Sequence, residues 1–134
     1  MVSTLQGKPP GNSHCLPLAS ARKAADTSIA ACKTKGYPVS VTVVDRDGVV
    51  IVQERADTAT GATLAVSQQK AYTAAGFQTP TDVLQKLATT QPGFTAIPGF
   101  VILPGGLPIA GGGSVVAAIG VAEEMRQRGR AVPF

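Results

Sequence analysis

The stretch Val39-Ser-Val-Thr-Val-Val-Asp-Arg-Asp-Gly-Val-Val-Ile-Val-Gln-Glu54 decides the fold. From Val39 to Val44 apolar and polar residues alternate with period two, the pattern of a half-buried strand. Asp45-Arg-Asp-Gly48 then reads as a turn, because Asp-Gly readily adopts the backbone angles of a tight hairpin. Val49 to Glu54 returns as the partner strand. An antiparallel hairpin is therefore the seed of the structure.

Upstream of it, Pro17 suits the first turn of a helix that runs to about Lys35. Its apolar stripe is Leu18, Ala21, Ala25, Ile29 and Cys32, and Gly36 with Pro38 ends it. Downstream, a Thr- and Gly-rich loop spans Ala56 to Ala62. A second helix follows from Thr63 to Phe77, presenting Leu64, Ala71, Ala74, Ala75 and Phe77. Thr79-Pro80 breaks it, with Thr79 as the expected N-cap of a short helix, Thr81 to Ala88. That helix should turn Val83, Leu84 and Leu87 inward. Phe100–Leu103, Leu107–Ile109 and Val115–Val121 read as strands, and Ala122 to Arg128 as a last helical turn or two. The order α-β-β-α-α-β-β-β-α predicts an α+β domain: a mostly antiparallel five-stranded sheet with helices packed on it. Residues 1–16 form an N-terminal arm and 17–134 a single domain.

Composition supports one globular core. The chain has 134 residues, 44% of them hydrophobic and 15% charged, enough to bury a core without staples. Four Phe, two Tyr and no Trp leave that core to Val, Ile, Leu and Ala. The net charge of +4 comes largely from Arg126, Arg128 and Arg130, away from the aromatics, which does not suit a nucleic-acid face. No apolar run approaches the roughly 20 residues a membrane helix needs, and the polar first fifteen residues do not resemble a signal peptide. The compartment is accordingly either the cytoplasm or, if a signal has been removed, outside it. Cys15 and Cys32 are separated by most of a helix, on the order of 20 Å at about 1.5 Å per residue, too far for a disulfide.

Several chemistries find no support. His14 is the only histidine, so neither a zinc cluster nor a Ser/His/Asp triad assembles. No GxxxxGK[ST] loop occurs, and Gly111-Gly-Gly113 precedes a strand instead of opening a helix. Turn geometry accounts for these glycines, with backbone amides exposed to a ligand at Pro104-Gly-Gly106 as the alternative. Asp45, Asp47, Glu54 and Asp57 crowd the hairpin and its exit, where turn chemistry and ion pairs with Arg46 or Arg55 compete with acid–base catalysis as the explanation.

Three segments in series carry a family resemblance. They are Val41-Thr-Val-Val-Asp45 with Gly48, Arg55 and Asp57; Lys70-Ala-Tyr-Thr-Ala-Ala75 with Phe77 and Pro80; and Pro104-Gly-Gly-Leu-Pro-Ile109 followed by Val115-Val-Ala-Ala-Ile-Gly-Val121. Their order and spacing over residues 17–121 resemble the GlcG/HbpS-like haem-binding family. The resemblance implies a profilin-like or PAS-like domain that assembles into homo-oligomers, and haem or a related tetrapyrrole as ligand. It implies Thr73 as the residue approaching the iron, Lys70 as a partner for a propionate or other carboxylate, and Tyr72 as a ring face. Lys70 has an equal alternative in a salt bridge to Asp45 or Asp57. The central helix lacks the Asp/Glu-x-x-Glu pairs that secreted relatives use for iron.

Three functions follow as expectations. The first is a small-molecule binding protein for haem, acting as a homo-oligomer without nucleic acid or membrane. The second is a small pathway enzyme acting on an organic-acid intermediate through Asp45, Asp57 and Lys70. The third is a non-catalytic regulatory subunit.

Overall fold

The computed structural model describes residues 15–123. Along the chain lie α1 (Leu18–Thr34), β1 (Val39–Asp45), β2 (Val50–Arg55), α2 (Ala62–Phe77), α3 (Thr81–Thr90), a 3-10 turn (Pro92–Ala96), β3 (Gly106–Gly111) and β4 (Ser114–Glu123). The four strands form one sheet in the order β2-β1-β4-β3, and every neighbouring pair is antiparallel. The class is α+β, as the sequence predicts.

The hairpin forms as its residues require. Gly48 takes φ +84°, a left-handed conformation that glycine adopts without steric cost. Asp45 Oδ1 accepts from the Asp47 and Val49 amides at 2.8 and 3.0 Å, so this carboxylate builds the turn. A Cβ at Gly48 would run into the Tyr72 ring, which seats the turn on α2.

At β1 the sheet is covered on both faces, and this corrects the expectation of a half-buried β1. Val39, Val41 and Val43 pack against Ala21 and Ala25 of α1. The polar residues between them do not meet water: Ser40 and Thr42 are fully buried beneath α2. Ser40 bonds Thr63 at 2.7 Å, and Thr42 bonds Ser67 at 2.7 Å. Thr63 and Ser67 are one helical turn apart, about 6 Å of rise, while Ser40 and Thr42 are about 6.6 Å apart along the strand. The two spacings match, so two hydroxyls of a helix meet two hydroxyls of a strand. Next to them Val44, Ala71, Ala74, Ala75 and Ala118 form an apolar patch of small residues.

Three further expectations change. The sheet has four strands, not five, because Phe100–Leu103 pairs with no strand. Instead the Val101 amide donates to Thr73 Oγ1 at 3.0 Å, and the Phe100 ring lies on Tyr72 and Phe77 with centroids 5.3 and 4.8 Å away. Aromatic packing and a side-chain acceptor on α2 take this segment from the sheet. In α3 only Leu84 of the expected trio is buried, whereas Val83 and Leu87 are 48% and 41% exposed. They share a separate face of the helix, one turn apart, and that face points outward. Thr79 does not cap α3: its hydroxyl donates back to the Phe77 carbonyl at 2.7 Å, and Pro80 holds the N-cap position.

Ala122 and Glu123, expected to begin a helix, complete β4; the rest of that segment lies outside the described residues, as do His14 and most of the arm. Leu16 packs on the core formed by α1 and β1. Both Cys15 and Cys32 are free thiols, and Cys32 is partly buried against that core. No helix among the described residues is long and apolar enough to cross a membrane.

Candidate functional site

Helix α2 carries Lys70, Tyr72 and Thr73 and turns Tyr72 away from the other two. At 100° per residue Lys70 and Thr73 share a face, while Tyr72 looks elsewhere. The helix therefore sets Tyr72 apart from the other two residues that the resemblance groups with it.

Thr73 is fully buried and engaged on both sides. Its hydroxyl donates to the Gln69 carbonyl at 2.7 Å and accepts from the Val101 amide at 3.0 Å. In this arrangement it anchors the chain from Gly99 to Leu103 across α2. Tyr72 is 41% exposed, stacked on Phe100 at an interplanar angle of 26°. It borders a hollow of about 350 Å³ with Ala65, Gln68, Gln69 and Gly99. Phe77, expected in the core, is half-buried and holds Phe94 edge-on at 5.0 Å. These rings fasten residues 94–100 to the helix.

Lys70 lies on the other side of that segment. Its stem passes Gly105, where a Cβ would come within 3.1 Å of the ammonium nitrogen and 2.6 Å of the Val121 carbonyl. The Nζ donates to that carbonyl at 3.2 Å, so the expected partners Asp45 and Asp57 are replaced by backbone. Burial pushes the Lys70 ammonium below the ordinary lysine range, opposed by the charge of Glu123. Around Lys70 a pocket of about 280 Å³ is walled by Cys32, Tyr37, Pro104, Gly105, Val121 and Glu123. Sequence reasoning missed Cys32, Tyr37 and Glu123, which come from α1, its exit and the end of β4.

Of the amides of Pro104-Gly-Gly106, that of Gly106 is taken up within the fold. The Gly106 amide donates to Thr81 Oγ1 at 2.9 Å, and the Gly105 carbonyl accepts from Val121 at 2.9 Å. Both glycines permit close approach instead: a Cβ at Gly106 would strike the Lys70 carbonyl and reach within 2.8 Å of Thr81. The glycine pair was the one local signal that a long side chain crosses here.

Asp45, Asp57 and Lys70 do not converge. Asp57 lines a separate cleft of about 770 Å³ beside α1, with Asp26, Lys33 and Glu54. Glu54 is raised above the usual carboxylate range, first by burial and then by its hydrogen bond to Asp26, with Arg22 opposing. Asp45 closes the turn at the far end of β1 from Val39, about 20 Å along the strand at roughly 3.3 Å per residue. No group of three or more His, Cys, Asp or Glu among the described residues is placed to hold a metal ion.

This fold has solved counterparts. A family model of HbpS-like haem-degrading proteins matches residues 16–126. The chain belongs to the HbpS-like family. Within the HbpS-like fold it is 40% identical to a double mutant of Streptomyces reticuli HbpS, with a TM-score of 0.77, over 81% of this chain and 74% of that one. It is 26% identical to the Klebsiella pneumoniae protein ORFY, with a TM-score of 0.75, over 82% and 79% of the two chains. The PduOC–heme complex shares the fold at a TM-score of 0.74 and 19% identity, over 82% of this chain and 83% of that one. None of the curated proteins matches this chain.

Proposed function

We propose that this HbpS-like protein binds haem or a related tetrapyrrole as a homo-oligomer, at the α2 face that carries Lys70 and Thr73. The observation that carries the reading is the half-buried Lys70 ammonium beside the Pro104–Gly105 wall. A cation held there suits a propionate. The family's haem-named relatives and the haem complex on the same fold support the same ligand class.

The residues fit the chemistry of such a ligand, with one condition. The Tyr72 ring and the Thr73 hydroxyl lie on the same helix as the cation, with the Phe100 ring stacked on Tyr72, and a planar macrocycle uses ring faces and an oxygen donor. A pocket of about 280 Å³ is smaller than the ~300–1,000 Å³ usual for compact organic ligands. Thr73 Oγ1 reaches a ligand only when the Val101 amide leaves it. The segment from Gly99 to Leu103 must therefore move, or a second copy must complete the site. Apolar side chains available for a second copy include Leu107, which is 54% exposed because α1 covers β1 and β2 and leaves its side of β3 open.

Titrating the purified protein with haemin and following the Soret band tests the reading. Saturable, stoichiometric binding is expected, weakened about tenfold, or ~1.4 kcal/mol, by Thr73→Ala. Thr73→Ser retains the hydroxyl and is expected to bind as the parent does. In stopped flow the observed rate should level off at high haemin, because the Val101–Thr73 bond opens first. Weak, non-saturating binding by the parent protein overturns the proposal.

A further inference from the structure

Five lysines lie among the described residues, and four of them, Lys23, Lys33, Lys35 and Lys86, are exposed. Lys70 alone is half-buried. Its nitrogen is held at the wall of a small pocket by a neutral carbonyl, Val121 O, at 3.2 Å. Gly105 keeps that approach open, since a Cβ there would lie 3.1 Å from Nζ and 3.2 Å from Cδ. The remaining walls are a proline, a valine, a thiol, a phenol and one carboxylate, Glu123. An ammonium serving only as a structural cation is ordinarily matched by a bonded carboxylate or left in water. Here the amine is half out of water and bonded to backbone.

We propose that Lys70 is a carbonyl-capturing amine, which binds a small aldehyde or ketone as an imine in the pocket walled by Cys32, Tyr37, Pro104, Gly105 and Glu123. The neutral amine's lone pair attacks the carbonyl carbon, forming the C–N bond as the C=O π bond becomes an alkoxide. A proton passes from nitrogen to that oxygen to give the carbinolamine, and Glu123 is the carboxylate placed to carry it. Protonation of the hydroxyl and loss of water then leave the C=N bond, with no change of oxidation state. A pocket of about 280 Å³ selects carbonyl compounds of a few carbons. Burial favours the neutral amine that the first step needs, and Glu123 opposes it; these groups, with Cys32 and Tyr37, are the titratable residues that line the pocket. The inference uses the same residue and pocket as the haem reading but concerns the haem-free protein, its neutral amine and a different ligand.

Acetaldehyde with cyanoborohydride, applied to the full-length haem-free protein at neutral pH, reduces any imine to a stable alkyl-lysine. Peptide mass mapping then ranks the lysines by rate. Capture at Lys70 is expected to run severalfold faster than at Lys23, Lys33, Lys35 or Lys86, and to persist to lower pH than theirs. Reactivity governed by exposure alone places Lys70 last, so that order overturns the proposal. Uniform labelling of all five overturns it equally. Lys70→Arg retains the charge and a donor for Val121 and is expected to abolish the fast phase. The ranking within the parent protein decides the question even if that variant folds poorly. Because the readout is a mass adduct without haem, its failure is distinct from a failure of the Soret titration.

Discussion

Gly120→Ala is expected to destabilise the protein by about 3–5 kcal/mol, a large share of the ~5–15 kcal/mol that holds a domain together. Gly120 sits in β4 opposite Thr42 of β1 and Gly106 of β3, on the face that α2 covers. A methyl group there would collide with the Ser67 carbonyl oxygen and lie 2.6 Å from the Ala71 nitrogen. Both atoms belong to the backbone of α2, so no rotamer change makes room. The helix must lift from the sheet, and lifting it parts Ser40 from Thr63 and Thr42 from Ser67. Overpacking typically costs about 1–3 kcal/mol, and each buried hydrogen bond lost adds about 1 kcal/mol. Gly61→Ala is the control: its Cβ meets nothing within 4 Å and its φ is −60°, so its stability should lie within about 0.5 kcal/mol of the parent. Urea unfolding of both variants checks the pair. Equal midpoints would show that α2 does not rest on the glycine as closely as described.

Ser67→Ala is expected to cost more than Thr42→Val, although the two hydroxyls bond each other. The direction of the chain of bonds explains the asymmetry. Ser67 donates to the Leu64 carbonyl at 2.8 Å, so its proton is committed and Thr42 must be the donor between them. Thr42 in turn accepts from Gln53 Nε2 at 2.9 Å, and Gln53 has a second acceptor in the Leu64 carbonyl at 3.1 Å. Removing Ser67 Oγ strands the buried Thr42 donor, at about 1–3 kcal/mol. Removing the Thr42 hydroxyl leaves Ser67 bonded to Leu64 and Gln53 bonded to Leu64. In the double variant no donor is stranded, so the effects should fall short of additivity by about 0.5–3 kcal/mol. A double-mutant cycle in denaturant measures this, and strict additivity would refute the relay.

The local elements were legible because their causes are local. Period two over Val39–Val44, Asp47-Gly48, and the stripe through Ala21, Ala25 and Ile29 each contain their own explanation within a few residues. What surrounds each element is another matter. Ser40 and Thr42 look like solvent-facing positions until α2 covers them, and nothing near residue 40 announces Thr63 or Ser67. Phe100–Leu103 has the composition of a strand, yet the Thr73 hydroxyl takes the Val101 amide before a neighbouring strand does. The candidate site divides in the same way. Lys70, Tyr72 and Thr73 stood out through the family resemblance, while Cys32, Tyr37 and Glu123 join Lys70 from distant parts of the chain.

By itself the amino-acid sequence determined the α+β class, the hairpin, the three helices and the glycine pair at 105–106, since backbone propensity and hydrophobic period act over one or two turns. Only the tertiary structure decided that β1 is buried on both faces, that Thr73 is engaged by the strap above it, and that Lys70 points away from Asp45 and Asp57. Those outcomes depend on which surfaces exclude water and which hydrogen-bond partners arrive from afar, and such partners exist only once the chain has closed on itself.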